Sequence, residues 1–218
     1  GVQPAPERPT YIIASADGAS TLPDGTKVWL ESGSRLRYVE SFMDERVVCL
    51  EGNASFNVIT TEDRALFTVR LEDAAEIEVH GTSFSVQQDT PEEIIVTLYE
   101  GAVDFIAGSS RYSLEPMKRL IYNRNSAAVS TRPFFNNINW KGGSYRLENV
   151  PLETLVDFIR WKYNVQVYVS ASAREKEYRL TGTIGHDEPA ENVIDKVCYV
   201  MGLSYRMENG AYRLFTHK

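Results

Sequence analysis

The sequence is poor in the residues that build metal sites and disulfides. Its 218 residues include two cysteines, Cys49 and Cys198, and three histidines, His80, His186 and His217. No histidine has a second histidine or a cysteine at ligand spacing, which argues against a metal site. Each cysteine lies in an apolar run in a different half of the chain, which favours two buried thiols over a disulfide. We therefore expect no bound metal.

Long apolar stretches and an excess of positive charge are also missing. No stretch approaches 18 consecutive apolar residues, so these residues are predicted to contain no membrane span. The formal net charge is −7, which argues against nucleic acid and against an anionic membrane surface as partners. Since the chain begins with Gly1 instead of methionine, we interpret it as a fragment whose anchor or targeting segment lies upstream.

The polar clusters do not match a catalytic pattern. His186-Asp187-Glu188 precedes Pro189 at a predicted helix start, where acidic residues favour the helix dipole. Carboxylate pairs such as Glu62-Asp63 fall between predicted strands, where a solvated turn is the common role. Gly108-Ser109-Ser110 matches neither the phosphate loop nor the nucleophile elbow. We expect a binding protein and not an enzyme, with no catalytic residue and no cofactor.

Residues 10–131 are predicted to form an all-β domain. Short runs rich in β-branched and aromatic residues recur, such as Lys27-Val28-Trp29-Leu30, and turn residues such as Pro23-Asp24-Gly25 separate them. No stretch of this half keeps a helical period. The pattern predicts a sandwich or a solenoid-like domain, with Trp29 in its core.

A glycine pattern recurs three times in this half. An apolar strand, a glycine and an alternating strand follow one another at Gly52, Gly81 and Gly101. Glycine inside such a run marks a bulge or a close approach between backbones. These segments are predicted to be equivalent turns of a stacked β structure, although their spacings differ.

The period changes after residues 132–139, which we interpret as a linker. The segment 151–163 has apolar residues at helical spacing, with Pro151 in its first turn and Asn164 as a left-handed stop. A second helix follows Pro189 and ends at Gly202. Their apolar stripes are Leu152, Leu155, Val156, Ile159 and Tyr163 in the first helix and Ala190, Val193, Ile194, Val197 and Met201 in the second.

Residues 140–218 contain the same strand–helix–strand pattern twice. Tyr178-Arg179-Leu180 repeats Tyr145-Arg146-Leu147, and both helices start with a Pro-x-Glu pattern. Asn209-Gly210 predicts a hairpin, because both residues tolerate positive φ. This half is therefore predicted to be a small α+β domain of two βαβ units, with two helices on one face of a small sheet.

Four segments of the first half resemble the signature of FecR-type anti-sigma regulators. They are residues 22–38, 50–58, 81–86 and 96–103. The second half is similar to the domain that follows FecR domains in Bacteroidota, and to the N-terminal signalling fold of secretins and TonB-dependent receptors. The family often has Pro-Gly where this chain has Pro116-Met117, so we expect that turn to differ.

The resemblance implies a signalling relay. The chain would be the periplasmic region of a single-pass inner-membrane anti-sigma factor. Its partner would be the periplasmic signalling domain of a TonB-dependent, SusC-like transporter, and the contact would control an extracytoplasmic-function sigma factor. No residue here corresponds to the family's membrane span or its cytoplasmic sigma-binding helices. Sigma binding would therefore involve only that other region.

Edge strands of the second half are the predicted contact sites, because their unpaired backbone groups can accept a partner strand. The expected edge is either Tyr145-Arg146-Leu147 or the hairpin strand Tyr212-Arg213-Leu214-Phe215. Trp161 lies off its helix stripe. The predicted partner-binding residues are Tyr145, Arg146, Leu147, Trp161, Tyr212, Arg213 and Leu214.

Two other functions stay open at this stage. A carbohydrate-binding module of a polysaccharide-uptake system would suit an all-β domain with 11% aromatic residues. It would need exposed coplanar aromatic side chains beside polar hydrogen-bonding groups. A structural assembly protein of the secretin type would need ring-forming interfaces.

Overall fold

A computed structural model describes residues 6–13, 18–72 and 75–217 of the chain. The chain divides into two compact units, Gly1–Arg132 and Pro133–Lys218. The fold is all-β in the first and α+β in the second, as predicted.

In the described residues, the first unit is built mainly from short strands, with a 3-10 helix at Glu40–Met43. The strands are β1 Pro9–Ile13, β2 Ser20–Thr21, β3 Lys27–Leu30, β4 Arg35–Val39, β5 Arg46–Glu51, β6 Ala54–Asn57, β7 Phe67–Leu71, β8 Ala75–Val79, β9 Ser83–Gln87, β10 Glu93–Glu100, β11 Val103–Ala107, β12 Ser110–Leu114, β13 Lys118–Asn123 and β14 Val129–Pro133.

These strands form two seven-stranded sheets with a common core. The strand orders are β1-β4-β5-β7-β8-β11-β12 and β14-β13-β10-β9-β6-β3-β2. Apolar side chains alternate along the strands and point to one buried cluster. The Phe56 and Phe67 rings, from β6 and β7, meet across it at 6.3 Å. The first unit is therefore a sandwich.

The three repeated glycines lie where the chain changes sheet. Gly52 connects β5 to β6, Gly81 connects β8 to β9, and Gly101 connects β10 to β11. A Cβ on Gly101 would lie 2.6 Å from the Gly81 carbonyl oxygen, and one on Gly52 would lie 2.5 Å from Ser34 Oγ. The predicted close approach at the glycines is confirmed.

One local prediction for the first unit is wrong. Trp29 is 41% exposed, so its prediction as a core residue is wrong. Strand alternation directs its neighbour Val28 to the core and Trp29 outward. Met117, which replaces the family's glycine, has φ 64. Its backbone is therefore left-handed, and its side chain is buried.

A buried ion pair links the first unit's loops. Arg46 Nη1 lies 3.0 Å from Asp24 Oδ2, and both side chains are at most 4% exposed. Arg46 also donates to the carbonyl oxygens of Ile59, Ala65 and His80. The Asp24 carboxylate accepts bonds from the Thr26 N–H and hydroxyl. One guanidinium therefore satisfies carbonyls from two separate loops, the one between β6 and β7 and the one between β8 and β9.

The second unit alternates strands with helices. Its elements are β15 Ile138–Lys141, β16 Ser144–Pro151, α1 Leu152–Tyr163, β17 Gln166–Val169, α2 Ala171–Arg174, β18 Arg179–Gly185, α3 Ala190–Met201, β19 Leu203–Glu208 and β20 Ala211–Thr216.

The helix ends and the hairpin are confirmed. Helix α1 ends at Asn164 with φ 50, and α3 ends at Gly202 with φ 62, both left-handed. Asn209 and Gly210 have φ 52 and 76 and connect β19 to β20. At the ends of α1 and α3 and in the hairpin, each position that needs positive φ is therefore occupied by glycine or asparagine.

In the second unit, the two βαβ repeats do not form separate sheets, because strands of one repeat pair with strands of the other. The first strands, β16 and β18, join β15 in one sheet of order β15-β16-β18. The later strands form a second sheet of order β17-β20-β19. The prediction of one small sheet covered by both helices is wrong. The first βαβ repeat contributes β16 to one sheet and β17 to the other, and the second repeat contributes β18 and β19 in the same way. The last strand of the hairpin, β20, also joins the second sheet.

The segment 132–139, predicted as a linker, contains the end of β14 and the start of β15. The Phe134 and Phe135 rings lie 5.3 and 5.7 Å from the Trp161 ring of α1. Phe135 also meets Phe158 at 5.8 Å. These phenylalanines are part of the second unit's aromatic packing.

Candidate partner-binding surface

The two strands predicted to be edges are central. β16, which holds Tyr145-Arg146-Leu147, pairs with β15 on one side and β18 on the other. β20, which holds Tyr212-Arg213-Leu214-Phe215, lies between β17 and β19. The edge prediction is wrong for both strands. Each has one neighbour from its own hairpin, and a strand distant along the chain, β18 for β16 and β17 for β20, pairs with its other side.

Burial separates the seven predicted contact residues. Tyr145, Leu147 and Leu214 are at most 3% exposed. Tyr212 is half-buried, with its ring 5.7 Å from that of Tyr205. Arg146 is exposed and Arg213 is half-exposed. A role for the seven in partner binding stays a prediction, and Arg146 is the one among them that is exposed.

Trp161 packs within the second unit. It is half-buried, and its ring lies 5.9 Å from Phe158 of the same helix. With Phe134 and Phe135 it forms an aromatic cluster on one side of α1. The off-stripe position of Trp161 is therefore explained by packing against the segment that precedes β15.

The edge strands of the second unit are β15, β18, β17 and β19. Of these, β18 borders an apolar groove of about 110 Å³ that it forms with α3. We call this the β18–α3 groove. Its main lining side chains are Leu180 and Ile184 of β18 and Val193, Val197 and Val200 of α3.

Two features leave the groove accessible. Gly182 lies in the middle of β18 and is exposed, and a Cβ built on it would have no atom within 4 Å. Glycine within a strand permits the close approach of another backbone. Val200 is 58% exposed at the groove's other side. The exposed edge of β18, the exposed Gly182 and the exposed Val200 therefore all border the β18–α3 groove.

Charged groups close one end of the groove. Lys196 of α3 forms an ion pair with Glu188 and donates to the Thr183 carbonyl oxygen. Partial burial would raise the pKa of Glu188, but hydrogen bonds from Lys196 and from the Gly185 N–H outweigh it and lower the pKa below its usual value. Glu188 is therefore held as a carboxylate between the end of β18 and the middle of α3.

Reactive and metal-binding groups are not assembled into a site in the described ranges. No group of three or more His, Cys, Asp or Glu side chains there could hold a metal ion. Both cysteines are free thiols. Burial raises the pKa of Cys198 to about 11, so its thiol is protonated at neutral pH.

The sequence contained signals for the groove that our prediction did not use. Thr181-Gly182-Thr183 places a glycine inside a strand pattern. Tyr199 and Val200 lie off the apolar stripe of α3, and they are 90% and 58% exposed. Together these signals mark an accessible strand and an apolar helix surface, but only the structure places them side by side.

Comparison with known families decides the assignment. The model of the FecR protein family matches residues 14–104, and the model of the FecR C-terminal domain matches residues 144–214. The chain belongs to the FecR family. It is accordingly a signal-transducing anti-sigma factor. The FecR-type resemblance of the two halves is confirmed.

Solved structures agree with the FecR assignment. Two crystal structures of a candidate anti-sigma factor from Parabacteroides distasonis ATCC 8503 are each 25% identical to this chain, with a TM-score of 0.51. They cover 97% and 96% of this chain, which covers all of both. No curated protein matches the sequence significantly.

FecR-type anti-sigma factors are membrane-associated and have a periplasmic region. In the part of this FecR chain that the structure describes, no helix is long and apolar enough to cross a membrane.

Proposed function

We propose that this chain is the periplasmic signal-receiving region of a transmembrane anti-sigma factor. It contacts the signalling domain of a TonB-dependent outer-membrane transporter, and this contact controls an extracytoplasmic-function sigma factor. The observation that carries the proposal is the free edge of β18 beside the β18–α3 groove.

The groove suits strand addition. A partner strand can pair with the unpaired backbone of β18, and main-chain hydrogen bonds then provide affinity without catalysis. Alternate side chains of the partner strand would enter the groove against Val193, Val197 and Val200. Small apolar side chains fit a volume of about 110 Å³, which makes the contact selective.

The test is titration calorimetry of the 218-residue chain with the periplasmic signalling domain of the transporter encoded beside its gene. We expect binding by the wild type. Gly182→Val should weaken it about tenfold or more, because the new side chain fills the groove without a clash in the free protein. Val200→Asp should have a similar effect, because it places a charge on the apolar contact.

The matched control is Gln166→Val on β17, which adds a valine to an edge strand of the other sheet. It should leave the affinity unchanged. Absence of binding by the folded wild type would remove the proposed function. Equal binding by the wild type and both groove variants would remove the β18–α3 groove as its site.

The carbohydrate-binding alternative finds little support in the surface. The exposed large aromatic side chains in the described ranges are Tyr11, Trp29, Tyr168 and Tyr199. They belong to β1, β3, β17 and α3, which gives a sugar no shared stacking platform. Micromolar binding on a glycan array would favour that alternative.

A further inference from the structure

The sheet β17-β20-β19 has a second face that is open to solvent. One face buries Val167, Val169 and Leu214. Because side chains alternate along a strand, their neighbours Tyr168 and Arg213 point to the other face. A depression of about 580 Å³ lies there. We call its floor, formed by Tyr168, Arg206, Arg213 and Phe215, the arginine face.

Each guanidinium of the arginine face lies over an aromatic ring. Arg213 Cζ is 4.8 Å from the centre of the Tyr168 ring, and Arg206 Cζ is 5.7 Å from that of Phe215. Stacking of this kind orients the planar guanidinium and leaves N–H donors at its rim. Tyr168 is 43% exposed, so the stacked pair is accessible.

The positive charge of this face is only partly neutralised. Arg206 and Arg213 lie 3.4 and 3.0 Å from the same carboxylate, that of Glu208. In the described part of the chain, Glu208 is the only acidic partner of either. Two guanidinium groups thus share one carboxylate, in a protein whose net charge is −7. A further carboxylate would complete the pairing.

We propose that the arginine face binds an acidic segment of a partner protein. Carboxylates of the segment pair with Arg206 and Arg213, and its planar or apolar groups lie against Tyr168 and Phe215. Ser172 and Thr216, whose hydroxyl oxygens are 2.9 Å apart at the rim, supply further hydrogen bonds. This site is separate from the β18–α3 groove and does not depend on the proposed transporter.

Charge complementarity and shape favour this occupant. A guanidinium pairs with a carboxylate through two parallel hydrogen bonds, which fixes orientation as well as strength. The depression is open along the sheet, whereas sites for small ligands enclose most of their ligand's surface. An acidic polypeptide can cover such an open surface and reach both guanidinium groups together.

Fluorescence anisotropy with the 218-residue chain tests the proposal. The probe is a short fluorescein-labelled peptide of alternating glutamate and tyrosine, and the control peptide has glutamine at each glutamate. We expect a dissociation constant of about 1 mM or tighter for the acidic peptide. The affinity should fall as salt rises. The control peptide should bind about tenfold more weakly.

Variants assign the binding to the arginine face. Replacing both residues, Arg206→Gln with Arg213→Gln, should weaken peptide binding about tenfold or more. Arg213→Lys should have a smaller effect, because it keeps the charge and loses the planar fork. The control is Arg174→Gln, which removes an exposed charge of α2 outside the depression. Circular dichroism confirms that each variant is folded.

Three results would overturn the proposal. One is no difference in affinity between the acidic and the glutamine peptides. Another is displacement of the labelled peptide by free glutarate at the same concentration as by the unlabelled acidic peptide, which would make this a site for small acids. The third is self-association that light scattering detects in the wild type and that the double substitution abolishes, since the occupant would then be a second copy.

Discussion

The two units differ in how much strand backbone they leave unpaired. In the described ranges, the first unit has four edge strands among fourteen, β1, β12, β14 and β2. The second has four among six, because both of its sheets have three strands. A small sheet has proportionately more edge, and edge strands are where other strands can add. Binding capacity in the second unit is therefore a consequence of sheet size.

The units also differ in their polar interactions. The first unit encloses the Arg46–Asp24 pair, whose side chains are 4% and 3% exposed. In the second unit, each ion pair that we observe has at least one partner more than a third exposed, as in Arg160–Asp157 and Arg213–Glu208. The first unit depends on buried polar contacts between loops, whereas the second depends on apolar helix faces.

The largest expected effect is that of Asp24→Ala. It leaves Arg46 buried without its counter-charge, which should cost about 3–5 kcal/mol of the first unit's stability. Hydrogen exchange measured on peptides from each unit gives the free energies of opening. The control Glu51→Ala removes the exposed Arg35–Glu51 pair and should cost far less, because water screens an exposed pair. Equal losses for both variants would contradict the role of burial.

Gly101→Ala should be the next most damaging change. Gly101 has φ 92, and its Cβ would meet the Gly81 carbonyl oxygen at 2.6 Å. We expect a loss of about 2–3 kcal/mol from strain at the sheet crossing. Gly108→Ala is the control, since Gly108 has φ 59 but open space around it, and it should lose about 1 kcal/mol. Hydrogen exchange measured on peptides from the first unit compares the two.

Two valines of α3 separate folding from binding in the second unit. Val197→Ala removes buried methyl groups and should cost about 2 kcal/mol. Val200→Ala alters a side chain that is 58% exposed and should change stability by no more than about 0.5 kcal/mol. Hydrogen exchange measured on peptides from the second unit checks both values. A large loss for Val200→Ala would show that this surface serves the fold.

The smallest effect is expected for Glu188→Gln, and it depends on pH. The folded-state pKa of Glu188 is below its usual value, so its charge stabilises the fold above the unfolded-state pKa. That stability is lost as pH falls through the folded-state pKa. We expect a loss of about 1 kcal/mol at neutral pH, which disappears in acid. A loss that is independent of pH would exclude the charge of Glu188 as its cause.

Local elements of both units could be predicted from the sequence. The stripes of α1 and α3, their left-handed ends at Asn164 and Gly202, and the Asn209-Gly210 hairpin depend on residues close together in the chain. A close approach at Gly52, Gly81 and Gly101 was predictable from residue type, because glycine inside a strand pattern marks one, but the segments that they contact lie far away in sequence. Trp29 was not, because burial of either face of a strand depends on where the second sheet lies.

The sequence predicted the kind of candidate site, a free strand edge in the second unit, but not which strand provides it. A free edge in the second unit was expected, but β16 and β20 proved to be central and β18 free. Which strands pair depends on contacts between residues far apart in sequence, such as Tyr145 with Ile184. The Tyr-Arg-Leu repeat indicated equivalent strands and could not indicate that those strands would pair with each other.

The sequence by itself determined the family, the succession of an all-β and an α+β part, and the positions of α1 and α3, because these depend on local pattern and on residue identity. Only the tertiary structure decided which strand edges stay open, which side chains line the β18–α3 groove, and that Arg206 and Arg213 share one face. Strand order determines these features, and strand order is set by the packing of distant segments that bury the most apolar surface together.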